Sequence, residues 1–153
     1  MTHFMAKVGL WIAQLIDAYL ENNNNLVYQS LETCTNAKAR LLYYFPPKEQ
    51  ESSATSTTST TSLDDWCGWH KDHGSLTALL PGMLFGENVD PKAGLYIKTT
   101  TPRTNGGGAP RLQEEEVQIR LPSTSLGFQL GETVEIMSGG RLRATPHAVT
   151  AGT

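Results

Sequence analysis

Cysteine is scarce. Cys34 and Cys67 are the only two in 153 residues, too few for a disulfide framework, and with no secretory context both read as reduced thiols of a cytoplasmic protein. Charge is scarce as well: charged residues make up 18% of the chain and the formal net charge is -3. No five-residue basic patch occurs, which argues against the phosphate contacts that give nucleic-acid binders their affinity. Long apolar runs are also missing. The best candidate, VGLWIAQLIDAYL, is flanked by Lys7 and interrupted by Gln14 and Asp17. It is too short and too polar to span a bilayer, and it lacks the small-residue cleavage site of a signal peptide. There is no G-x-S-x-G, and Glu114, Glu115 and Glu116 read most simply as a solvated face, so nucleophilic and acid–base catalysis have little support. The expectation is an intracellular soluble domain, with neither nucleic acid nor membrane as partner.

What is present organises the chain from residue 1 to 153 as a single domain. Phe4, Val8, Trp11, Ile12, Leu15 and Tyr19 fall on one helical face, predicting an amphipathic helix over 1–22 that lies on something apolar. ENNNN at 21–25 then favours a turn. ARLLYYFPP at 39–47 reads as a strand stopped by two prolines. A Ser/Thr-rich tract over 50–63 carries almost nothing apolar and predicts a surface loop. Over 64–153 the pattern is strand after strand: SLTALL, GLYIKTT, EVQIRL, GFQL, TVEIM and RLRAT, separated by glycine-rich connections. Such a series predicts a mainly β fold: a sandwich, barrel or jelly roll.

Histidine occurs four times, and two of the four sit in WCGWHKDHG at 66–74. In an extended strand, residues i and i+2 share a face roughly 6.5–7 Å apart. HKDH therefore sets His70 and Asp72 side by side with Lys71 turned away. A third ligand must come from elsewhere, and His147, in RATPHAV, is the candidate, because an early and a late antiparallel strand can be neighbours. Two imidazoles and a carboxylate on one face form the facial triad of non-haem Fe(II) oxygenases. Taken alone, an H-x-D triplet is more often just two polar surface residues.

The surrounding residues add a resemblance. HKDHGSLTALL, then GLYIK, then LGETVEIMSGGRLRATPHAV, with YYFPP upstream, resembles in order the isopenicillin N synthase-like branch of the 2-oxoglutarate/Fe(II)-dependent oxygenases over about residues 38–150. The resemblance implies a double-stranded β-helix (jelly roll) with helices packed outside. It implies Fe(II) on His70, Asp72 and His147, 2-oxoglutarate as cosubstrate, and oxidation of a small organic substrate. That family anchors the cosubstrate with an Arg-x-Ser pair past the second histidine, and no such pair follows His147 here. The expectation is therefore of a sequence incomplete at its C-terminus, or of another cation taking over. Arg141 and Arg143 alternate with His147 and are the candidates, with solvent-facing edge charges as the alternative. Phe45 stands where the family has a cosubstrate-contacting tyrosine; Tyr43 can replace it or simply pack in the core. Trp66 and Trp69 can stack on substrate or cover the rim of a barrel.

Two other readings stay open. Cys67, His70 and His73, at three-residue intervals, are compatible with a small zinc site, for which Cys34 would have to supply the fourth ligand. The chain can also be an oxygenase-like barrel that binds metal or a partner without turnover.

Overall fold

A computed structural model describes residues 2–21, 24–45, 66–86, 89–103 and 111–152. In chain order the elements are α1 (Thr2–Tyr19), α2 (Leu26–Glu32), β1 (Cys67–His70), β2 (Leu76–Leu79), β3 (Gly94–Arg103), β4 (Arg111–Ile119), β5 (Gly127–Leu130), α3 (Glu132–Met137) and β6 (His147–Thr150). The fold is mainly β, with two antiparallel sheets and several helices. The chain divides into two compact units, one of Met1–Leu42, Lys71–Pro81 and Leu121–Thr145, the other of Tyr43–His70, Gly82–Arg120 and Pro146–Thr153.

The first unit holds the three helices and the β2–β5 ribbon. Helix α1 forms where its periodicity predicts, but the buried side is not the expected one. Gly9, Ala13, Ile16 and Asp17 face inward, while Phe4, Trp11, Leu15 and Tyr19 are 56%, 61%, 69% and 62% exposed. The reason is Asp17, whose carboxylate accepts hydrogen bonds from the backbone N–H groups of Val27 (3.1 Å) and Tyr28 (2.8 Å). Asn25, in the left-handed region, makes no side-chain cap at the start of α2. Asp17 thus satisfies those amides from another helix, which places a negative charge at a helix N-terminus. Turning Asp17 toward α2 brings Ala13 and Ile16 into a core with Val27 and Val134. Helix α2 itself was not legible in its seven residues.

Leu76 and Leu130, direct partners across the β2–β5 ribbon, pack against that core. Thr77 and Gln129, the next pair along, therefore belong to the opposite face. TVEIM is not a strand. It lies in helix α3, which Gly131 precedes and which carries Glu132 and Glu135 in its first turn. Gly139 (φ 62°) and Gly140 (φ 79°) end it, with the Gly140 N–H reaching the Glu135 carbonyl at 2.9 Å. RLRAT forms no strand either, following the helix as irregular chain. Residues 39–45 carry no strand, and Leu41 is 95% exposed. Among the described residues no strand pairs with this segment, and strand-forming side chains alone make no ladder. The Ser/Thr tract expected over 50–63 lies outside the described residues.

The second unit is an antiparallel sheet in the order β1-β6-β3-β4. β3 and β4 pair from Leu95↔Ile119 to Arg103↔Arg111. β6 lies between β1 and β3, with Cys67↔Val149 on one side and Ile97↔His147 on the other. The late strand is thus central and largely buried: Ala148 and Thr150 are each 1% exposed and His147 6%. No described helix is long and apolar enough to cross a membrane.

Candidate metal centre

The expected neighbourhood of an early and a late strand is present: β1 pairs with β6, and His70 opposes His147. A bulge makes that pairing. From Cys67↔Val149, a regular antiparallel ladder would bring Trp69 opposite His147, since 67 + 149 equals 69 + 147. The register instead reads His70↔His147, because β1 holds one extra residue between the two contacts. Bulges of this kind re-aim side chains beside functional sites. The two imidazole centroids lie 4.2 Å apart at an interplanar angle of 54°.

His70 has a defined tautomer. Its Nδ1 lies 2.7 Å from the Gly68 carbonyl, and a carbonyl oxygen only accepts, so Nδ1 carries the hydrogen. In the neutral ring the lone pair is then on Nε2, the arrangement seen in metal-ligating histidines.

β1 ends at His70, so Asp72 is not placed by strand alternation, contrary to the extended-strand reading. The loop after β1 is held by the start of α3 instead. The Glu132 N–H donates to the Asp72 carbonyl (2.7 Å), the Thr133 N–H to the Gly74 carbonyl (3.3 Å) and the Gly131 N–H to the Ser75 carbonyl (3.0 Å). The Thr133 hydroxyl adds a bond to the His73 carbonyl at 2.7 Å. The first amides of a helix lack intrahelical partners, and here they bond the loop. Only glycine fits at 131, because a Cβ there would stand 2.0 Å from the Gly74 oxygen. Lys71 pairs with Glu135 at 3.1 Å. Glu135 also accepts the Ala144 N–H at 2.8 Å, and that bond, with the Lys71 ammonium, lowers its pKa below the ordinary carboxylate value. The Asp72 carboxylate accepts at Oδ2 from the Thr77 hydroxyl and the Gln129 amide, each at 2.5 Å.

His70, Asp72 and His147 present ligand atoms that all lie within 4.8 Å of one another. Strand pairing places the histidines together, and a single intervening residue, Lys71, separates Asp72 from His70. Two imidazole nitrogens and one carboxylate oxygen suit a first-row divalent cation and fit iron. Among the described residues it is the one such group of three. The zinc alternative is not supported there. Cys67 Sγ is 3.8 Å from His70 Nδ1, the atom already committed to the Gly68 carbonyl. His73 bonds Glu132 at 2.5 Å with its side chain 94% exposed.

The remaining candidates have other neighbours. The Arg141 guanidinium donates to the carbonyls of Leu20 (3.1 Å) and Tyr19 (3.4 Å) at the end of α1, so the strand alternation that tied it to His147 does not exist. Arg143 adds to the lowering of the Glu135 pKa. Tyr43 meets Phe45 edge-on, with centroids 4.9 Å apart. Trp66 donates from Nε1 to the Phe45 carbonyl at 2.7 Å and stacks on Tyr44. Trp69 carries the Lys98 ammonium 4.7 Å from its ring centroid. Thr77 and Gln129 were missed as site residues. The available signal was a polar side chain in the middle of each of two short apolar strands. No protein-family model, curated protein or solved structure matches this chain.

Proposed function

We propose that the chain is a non-haem Fe(II) oxygenase of the 2-oxoglutarate-dependent kind, with His70, Asp72 and His147 as the metal ligands and a small organic molecule as substrate. The observation that carries this reading is the convergence of the three side chains, two of them brought opposite each other by a bulge. The β1-β6-β3-β4 order supports a jelly roll, in which early and late strands lie side by side. His70, Asp72 and His147 would hold the iron, which would supply the redox chemistry with dioxygen and the cosubstrate. The chain's own part is to hold the ligands. The Gly68 carbonyl keeps the hydrogen of His70 on Nδ1, burial in a central strand fixes His147, and Thr77 and Gln129 hold the Asp72 carboxylate.

A second reading has an observation of its own. Arg141, the candidate anchor for a cosubstrate carboxylate, uses its guanidinium at the end of α1, which favours a metal-binding protein without 2-oxoglutarate turnover. The two readings part in one assay. Under air, with ascorbate as the reductant that takes the place of the organic substrate, the Fe(II)-loaded chain should convert 2-oxoglutarate and dioxygen to succinate and carbon dioxide, and His147→Ala should abolish the conversion. Succinate at background, in a chain that still binds iron, would leave the second reading standing.

A further inference from the structure

We propose that Thr77 and Gln129 act together as positioning residues, clamping the Asp72 carboxylate in its ligating orientation. The inference deepens the metal-site reading and rests on it. His70 and His147 are held by a strand ladder, but Asp72 lies past the end of β1 and takes no orientation from it. Its backbone is pinned by α3, which leaves the side-chain torsions to be fixed separately. Thr77 and Gln129 are direct cross-strand partners, and side chains so paired stand about 4.5–5.5 Å apart at Cβ. Both therefore reach one acceptor, and both donate to the same Asp72 oxygen, Oδ2, each at 2.5 Å. The clamp has a firm base, because the neighbouring pair on the ribbon's other face, Leu76 and Leu130, packs into the core of the first unit. A carboxylate with one oxygen held by two donors on a rigid ribbon is presented to a cation in one orientation. Outer donors of this kind typically change metal affinity about 10–100-fold.

The test is a Co(II) titration of the full chain, followed by calorimetry and by the visible absorption of the bound ion, on Thr77→Val, Gln129→Leu and Thr77→Ser. Asp72→Ala is the reference. Thr77→Val and Gln129→Leu should each bind Co(II) about 10–100-fold more weakly than the parent, with an altered spectrum. Thr77→Ser, which keeps the hydroxyl, should restore both affinity and spectrum. Urea unfolding of the metal-free forms should stay near the parent. Parent-like affinity and spectrum in both Thr77→Val and Gln129→Leu, with Asp72→Ala impaired, would overturn the clamp alone. An affinity loss matched by lost metal-free stability, and not rescued by Thr77→Ser, would reduce it to ordinary packing and overturn it too. Parent-like binding by Asp72→Ala would overturn the metal-site reading and the clamp with it.

Discussion

Glu135 joins two stretches of chain through one carboxylate, accepting the Ala144 N–H and pairing with Lys71. Its pKa is lowered first by the backbone hydrogen bond and then by the lysine. A carboxylate with a depressed folded-state pKa adds stability that is fully present above its unfolded value, and loses it as pH falls through the folded one. The stability gap between the parent and Glu135→Gln should therefore be constant near neutral pH. It should close as pH drops below the ordinary value of 4.5. Urea unfolding midpoints across that range check it, and a gap that widened toward acid would contradict the assignment. Asp17 has a related task, since its carboxylate caps α2 from α1. The sequence showed it only as an interruption of an apolar stripe. Nothing local marks the helix N-terminus it serves, ten residues further along the chain.

Helix α3 carries more of the site than its six residues suggest. Its first amides bond the 72–75 loop, and Gly131 allows the approach by lacking a Cβ. Gly131→Ala would put a Cβ 2.0 Å from the Gly74 oxygen and 2.8 Å from that of Asp72. Backbone atoms cannot swing aside as a side chain can, so the substitution should cost about 3 kcal/mol or more of unfolding free energy, at or beyond the upper end for overpacking. Chemical denaturation reads this directly, and a change within about 0.5 kcal/mol, the range of neutral surface changes, would mean the loop is not held as described. The helix was legible after all. Glycine, two glutamates in the first turn and a Gly139-Gly140 stop are helix boundary signals, outvoted by the β-rich reading of Thr133, Val134 and Ile136. GFQL, by contrast, forms a strand at the bounds the strand series predicts, Gly127–Leu130.

At the scale of the whole molecule, the sequence supplied the candidate ligands and the expectation that an early strand meets a late one, but not the register that brings them together. His70, Asp72 and His147 could be picked out by type and by motif order. That β1 lies against β6 is a long-range pairing, which no local pattern encodes. Nor does any local signal encode the bulge that exchanges Trp69 for His70 opposite His147, or the change of buried face on α1. These depend on what each segment meets. The central claim is that the three side chains share one cation, and anaerobic titration with Fe(II), or Co(II) as its probe, tests it most directly. The parent should bind one ion. His70→Ala, Asp72→Ala and His147→Ala should each weaken binding by more than about 100-fold, beyond the loss typical of an outer-shell partner, while His73→Ala stays close to the parent. Equal affinity in the parent and the triple alanine variant, or a larger loss at His73 than at Asp72, would contradict the account.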